Sequence, residues 1–99
     1  MSFIEPYRDQ IEAECKKHNV ETLYVFGSAA TETMNNDSDV DLLVSFKPFD
    51  LSKYFENYMS LKDALRKLLG REVDLLEEQT LKNPFLIRSI NRNKELIYG

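Results

Sequence analysis

The amino-acid pattern predicts an α/β domain with a small mixed β-sheet flanked by helices, and three observations carry that expectation. Apolar runs at residues 21–26, 40–46 and 72–76 have the length of strands. The segment from Leu51 to Leu69 places Leu51, Tyr54, Phe55, Tyr58, Leu61, Leu65, Leu68 and Leu69 at helical spacing. Helical patterns also open and nearly close the chain.

Each element has its local reason. Ser2-Phe3-Ile4-Glu5 has the form of a capping box, and Pro6 is tolerated in a first turn, so the first helix is expected from near Phe3 to Lys17. Tyr7, Ile11 and Cys15 recur at intervals of four and read as its buried stripe. Asn19 ends it, and His18 stands where a cation favours the helix dipole. The polar segment Thr31–Ser38 is expected to begin as a short helix and end as a turn. Gly70 stops the long helix, and its aromatic residues read as core. Asn83-Pro84 reads as the cap and first turn of a last helix through about Arg92. No linker, repeat or low-complexity segment interrupts the chain, so residues 1–99 are expected to form one domain.

Ninety-nine residues suffice for one core but not for a second substrate-binding lobe, so any acceptor would be held elsewhere. The formal charge of −4 and pI near 5.0 argue against binding to long nucleic acids, which rests on many Lys and Arg contacts to phosphate. Lys82, Arg88, Arg92 and Lys94 form a modest basic run. It reads either as a solvated helix face or as a surface for nucleotide phosphates or an acidic partner. One Cys excludes an internal disulfide, and one Cys with one His cannot build a zinc site. No apolar run reaches membrane length and no signal pattern opens the chain, which points to the cytoplasm and away from a membrane.

The chemistry concentrates in Val25-Phe26-Gly27-Ser28-Ala29-Ala30 and Ser38-Asp39-Val40-Asp41-Leu42-Leu43-Val44. Carboxylates two apart on a strand share a face, with Cα atoms roughly 6.5–7 Å apart, close enough to share divalent cations. Magnesium prefers oxygen ligands and commonly takes one or two carboxylates plus substrate phosphates. Gly27 permits close approach of a ligand to the backbone, and Ser28 offers a hydroxyl and an N–H to phosphate. A calcium loop starting at Asp37 would need Gly and Glu where Leu42 and Pro48 stand. Asp39 alone would pass as a turn residue. Asp41 is different, because an ionised carboxylate beside Leu42-Leu43-Val44 needs a partner or a metal. Asp74 alone would pass as surface decoration of a strand end.

These residues resemble the minimal nucleotidyltransferase family of the nucleotidyltransferase, or polymerase beta-like, superfold. The family's apolar strand matches Leu23-Tyr24-Val25-Phe26, its Gly-Ser matches Gly27 and Ser28, its Ser-Asp-x-Asp-Leu matches Ser38 to Leu42, and its third carboxylate matches Asp74. Leu81 to Leu86 and the closing Ile97-Tyr98-Gly99 also resemble the family, so the likeness runs from about Leu23 to the end.

The resemblance implies that Asp39 and Asp41 hold two Mg²⁺ ions, that Asp74 completes one metal site near the acceptor hydroxyl, and that Gly27 and Ser28 hold the β- and γ-phosphates of ATP. It further implies transfer of AMP to a tyrosine of a helical ribonuclease toxin of the HEPN class, with this chain as antitoxin. One departure stands out. Relatives carry Arg and then Gly where this chain has Thr31 and Glu32, so a phosphate-facing cation is missing. That departure favours a non-catalytic module that neutralises its partner by occlusion, whereas the intact carboxylates favour transfer. A small-molecule nucleotidyltransferase would share the motifs but require an acceptor site beyond this chain.

Overall fold

The computed structural model describes residues 4–27 and 39–99. After a tight turn at Glu5–Tyr7 the chain forms α1 (Arg8–Lys17), β1 (Val20–Phe26), β2 (Val40–Phe46), α2 (Tyr54–Leu69), β3 (Val73–Glu77), α3 (Pro84–Asn93) and β4 (Glu95–Tyr98). The four strands make one mixed sheet in the order β3-β2-β1-β4. Strand β1 runs antiparallel to both β2 and β4, and β2 runs parallel to β3. The parallel pair follows from α2, since parallel neighbours need a crossover connection and a helix supplies it.

Alternation divides the sheet into two faces. Leu23 and Val25, Val40, Leu42 and Val44, and Val73 and Leu75 point to one side, where Ile11 and Cys15 of α1 and Leu61, Leu65 and Leu69 of α2 complete the main core. Tyr24, Asp41, Leu43 and Asp74 occupy intervening positions and face the other way. Leu43 and Ile90 are buried yet stand outside the main core, forming a smaller apolar contact on this second face, beneath α3.

The helix ends obey local chemistry. Gly70 takes a left-handed conformation, φ 67°, and its N–H donates to the Arg66 carbonyl, which closes α2. Asn83 caps α3, its Oδ1 accepting from the N–H of Phe85 at 2.9 Å and of Leu86 at 3.4 Å, with Pro84 in the first turn. Asn19, at φ 61°, reverses the chain from α1 into β1.

Two expectations change, and one strand is new. The first helix begins at Arg8 rather than near Phe3, because Glu5-Pro6-Tyr7 winds as a tight 3₁₀ turn; Ser2, Phe3 and the segment Thr31–Ser38 lie outside the described residues. Leu51, 83% exposed, lies in a 3₁₀ turn at Leu51–Lys53 before α2, and Phe55 of α2 is 74% exposed, so the long helix starts at Tyr54 and its apolar pattern is wider than the stripe it buries. Strand β4 had no counterpart in the sequence reading. Its four residues gain their conformation from pairing with β1, Leu96 opposite Tyr24, which no local signal announces.

Candidate active site

The carboxylates come together through strand register. Asp41 of β2 lies directly opposite Asp74 of parallel β3 and also opposite Phe26 of antiparallel β1, so both carboxylates belong to one row across the sheet. Asp39 immediately precedes β2 and is exposed, while Asp41 is half-buried and Asp74 exposed. The row sits where β1 ends and β2 begins, at an end of the sheet that admits solvent.

Gly27 follows Phe26 and meets Asp41. A Cβ placed on Gly27 would stand 2.3 Å from Asp41 Oδ2, and the residue has φ +72°. Both facts demand glycine: a side chain would displace the carboxylate, and the backbone is in a region that L residues rarely adopt. Ser28 lies outside the described residues, as do Ser38, Thr31 and Glu32.

Burial pushes the Asp41 carboxyl above its usual range, and the negative charges of Asp74 and Asp39 push it in the same direction. The site therefore carries concentrated negative charge that a divalent cation relieves. Its hard oxygen donors fit magnesium. Among the described residues, which include Asp39, Asp41 and Asp74, no group of three Asp, Glu, His or Cys side chains is placed to hold a metal ion.

Tyr58 is the neighbour that sequence reasoning did not single out for the site. From α2 its hydroxyl donates to the Leu75 carbonyl, tying the helix to β3 one residue beyond Asp74. Burial raises its hydroxyl pKa, and the negative charge of Asp74 adds to the effect. Its place in the apolar stripe of α2 disguised this tie as packing.

Other candidates resolve into structure. Cys15 is fully buried, and burial pushes its thiol up to about 12, so it behaves as an apolar side chain. His18 caps the end of α1: Nδ1 donates to the Glu14 carbonyl at 2.7 Å, and Nε2 shares a hydrogen bond with the Ser60 hydroxyl at 3.0 Å. Lys82, Arg88 and Arg92 are exposed, whereas Lys94 is half-buried with its ammonium 4.4 Å from the centre of the Tyr24 ring.

Residues 9–99 match the family described as polymerase beta, nucleotidyltransferase. The chain belongs to this nucleotidyltransferase family. A Methanocaldococcus jannaschii protein carrying the name protein adenylyltransferase is 39% identical over 84 residues, 84% of this chain and 80% of that protein. Among solved structures, one described as a minimal nucleotidyltransferase superposes with TM-score 0.78 at 33% identity, covering 93% of this chain and 90% of the other. A chain from a complex of a tri-AMPylated Shewanella oneidensis HEPN toxin with its MNT antitoxin superposes with TM-score 0.66 over 96% of this chain and 71% of that one. At 17% identity, that last likeness is one of fold.

Proposed function

We propose that this nucleotidyltransferase moves AMP from ATP to a tyrosine hydroxyl of a helical ribonuclease toxin of the HEPN class, depends on Mg²⁺, and so acts as an antitoxin. The observation that carries the reading is the register pairing of Asp41 with Asp74 beside Gly27, with Asp39 at the mouth of the row. The protein adenylyltransferase name of the archaeal relative, and the toxin–antitoxin complex that shares the fold, support the choice of donor and acceptor.

In this reading Asp39 and Asp41 hold two Mg²⁺ ions and Asp74 contributes to one of them. Bound there, the ions would supply positive charge to offset the negative charge of the triphosphate and of the oxygens in an in-line displacement. Gly27 leaves room for the phosphates where a side chain would block them, and Ser28 donates to their oxygens. Asp74, exposed at the open end, accepts the proton of the acceptor hydroxyl as its oxygen bonds to the α-phosphorus and the bond to pyrophosphate breaks. Tyr58 positions Asp74 by fixing the backbone of β3. Residues 1–99 act as one domain, and the partner itself supplies the acceptor. Among the described residues no helix is long and apolar enough to cross a membrane, and the reaction is assigned to the cytoplasm, where ATP and the toxin meet.

The test is incubation of the purified chain with its co-purifying partner, ATP and Mg²⁺, followed by intact mass measurement. The partner should gain one or more adenylyl groups, and the double substitution Asp39→Asn with Asp41→Asn should abolish the gain while the fold survives. Loss of metal ligands should cost more than the roughly 10–100-fold typical of groups that merely support ligands. Neutralisation of the partner without a mass change would establish occlusion instead.

A further inference from the structure

Two cavities adjoin at the C-terminal end of β3. One, of about 360 Å³, is walled by Phe46, Phe49, Leu51 and Tyr54. The other, of about 320 Å³, follows the outer edge of β3 past Phe55, Leu76 and Tyr58. Tyr54 and Glu77 line both, so the two form one groove, and at Tyr58 and Leu75 it reaches the neighbour of Asp74. Resting on the transfer reading above, we propose that the acceptor protein docks in this groove and sets an arginine side chain against Glu77 and the aromatic walls.

Charge decides the occupant. Glu77 is buried, its carboxylate accepts the Gln79 N–H at 3.2 Å, and it forms no ion pair among the described residues. Lys47 lines the same cavity but is exposed and makes no ion pair with it. Once an occupant displaces the remaining water, that carboxylate requires a cation. The rings of Phe46, Phe49 and Tyr54 suit a guanidinium, which stacks on aromatic faces and is less strongly hydrated than an ammonium. Leu51, Phe55 and Met59 recur at intervals of four and are all exposed, which extends the groove into an apolar patch that a protein covers and a small ligand does not. Strand addition is not the mode of contact. The Leu75 carbonyl already accepts from the Tyr58 hydroxyl, and the Glu77 carbonyl from the Thr80 hydroxyl at 2.8 Å. Asp74 and Glu77 are three residues apart on β3, roughly 10 Å, so one acceptor domain reaches both.

Affinity of the full chain for its co-purifying acceptor, with ATP affinity measured beside it, tests the assignment. Glu77→Gln keeps the shape of the side chain and an oxygen for the Gln79 N–H. It should weaken acceptor binding about 10- to 150-fold, the worth of a hydrogen bond to a charged group, with ATP bound as in wild type. Phe55→Ser, at an exposed position, should also weaken acceptor binding without lowering the melting temperature. Replacing one acceptor arginine by alanine should cost a similar factor in wild type and nothing further in Glu77→Gln, the signature of a shared pair. Unchanged acceptor affinity in Glu77→Gln, the absence of any acceptor arginine that couples to it, self-association of the chain through this patch, or free arginine amide binding more tightly than the acceptor would overturn the docking site and leave transfer standing. An acceptor that binds through Glu77 but gains no mass with ATP and Mg²⁺ would overturn transfer and leave the groove standing.

Discussion

At Asp41 stability and function oppose each other. Its folded pKa is raised by burial and by Asp74 and Asp39, so the folded state binds the proton more tightly than the unfolded chain does. The cost to folding is absent at pH well below the usual carboxylate value of 3.8, grows as pH rises through that value to the raised one, and persists at neutrality. Asp41→Asn should therefore melt higher than wild type near neutral pH, by roughly 1–4 °C for a partly solvated charge in a domain of this size. The difference should shrink toward about pH 3.5, and Mg²⁺ with ATP should stabilise wild type more than the variant. Thermal melts at the two pH values decide the sign. Gly27→Ala probes the same carboxylate from the other side. Left-handed backbone costs roughly 1–2 kcal/mol for an L residue, and the new Cβ would lie 2.3 Å from Asp41 Oδ2, so both stability and nucleotide transfer should fall. Denaturant titration beside a transfer assay separates the two losses. Glycine and the Asp-x-Asp spacing were legible because both obey local rules. Tyr58 was not, because its hydrogen bond to Leu75 depends on how α2 lies across β3.

Among the elements, legibility followed the presence of a chemical stop. Gly70 and Asn83 announced the end of α2 and the start of α3: the Gly70 N–H donates to the Arg66 carbonyl, and the Asn83 side-chain oxygen accepts from the N–H groups of Phe85 and Leu86. The second strand lay where its apolar run indicated, and the third began one residue later than expected. The start of α1 shifted because Pro6 favours a tight turn before the helix proper. Strand β4 escaped notice because it is formed by partnership with β1 at Tyr24 and Leu23, distant in sequence. The cap of α3 also bears on a cavity beneath that helix. Asn83→Ala removes an acceptor for two N–H groups and should lower stability by about 1 kcal/mol, within the usual 0.5–2. Urea unfolding should show a lower midpoint with little change in slope, as befits a local loss in a cooperative domain.

The whole molecule separates packing from chemistry by face. One side of the sheet carries the main core with α1 and α2, while the other carries the carboxylate row and the looser contact of Leu43 with α3. This division arises from β2: beyond Asp41, Leu42 and Val44 enter the core, while Leu43 turns to the other face and lines the cavity there. Substitutions on the two faces should therefore differ in what they cost. Leu65→Ala removes a fully buried side chain of α2, far from the carboxylate face, and should cost about 2–5 kcal/mol. That is a large share of the roughly 5–15 kcal/mol available to a small domain. Molecules that remain folded should still bind ATP with wild-type affinity. Ile90→Ala removes a buried side chain of α3 on the sheet face that also carries Asp41; it should cost less stability, because the cavity beside it lets the surroundings relax. The decisive measurement pairs urea midpoints with ATP titrations under conditions where both variants are folded. A Leu65→Ala protein that is folded but impaired in ATP binding would show that the two faces are energetically coupled through the strands.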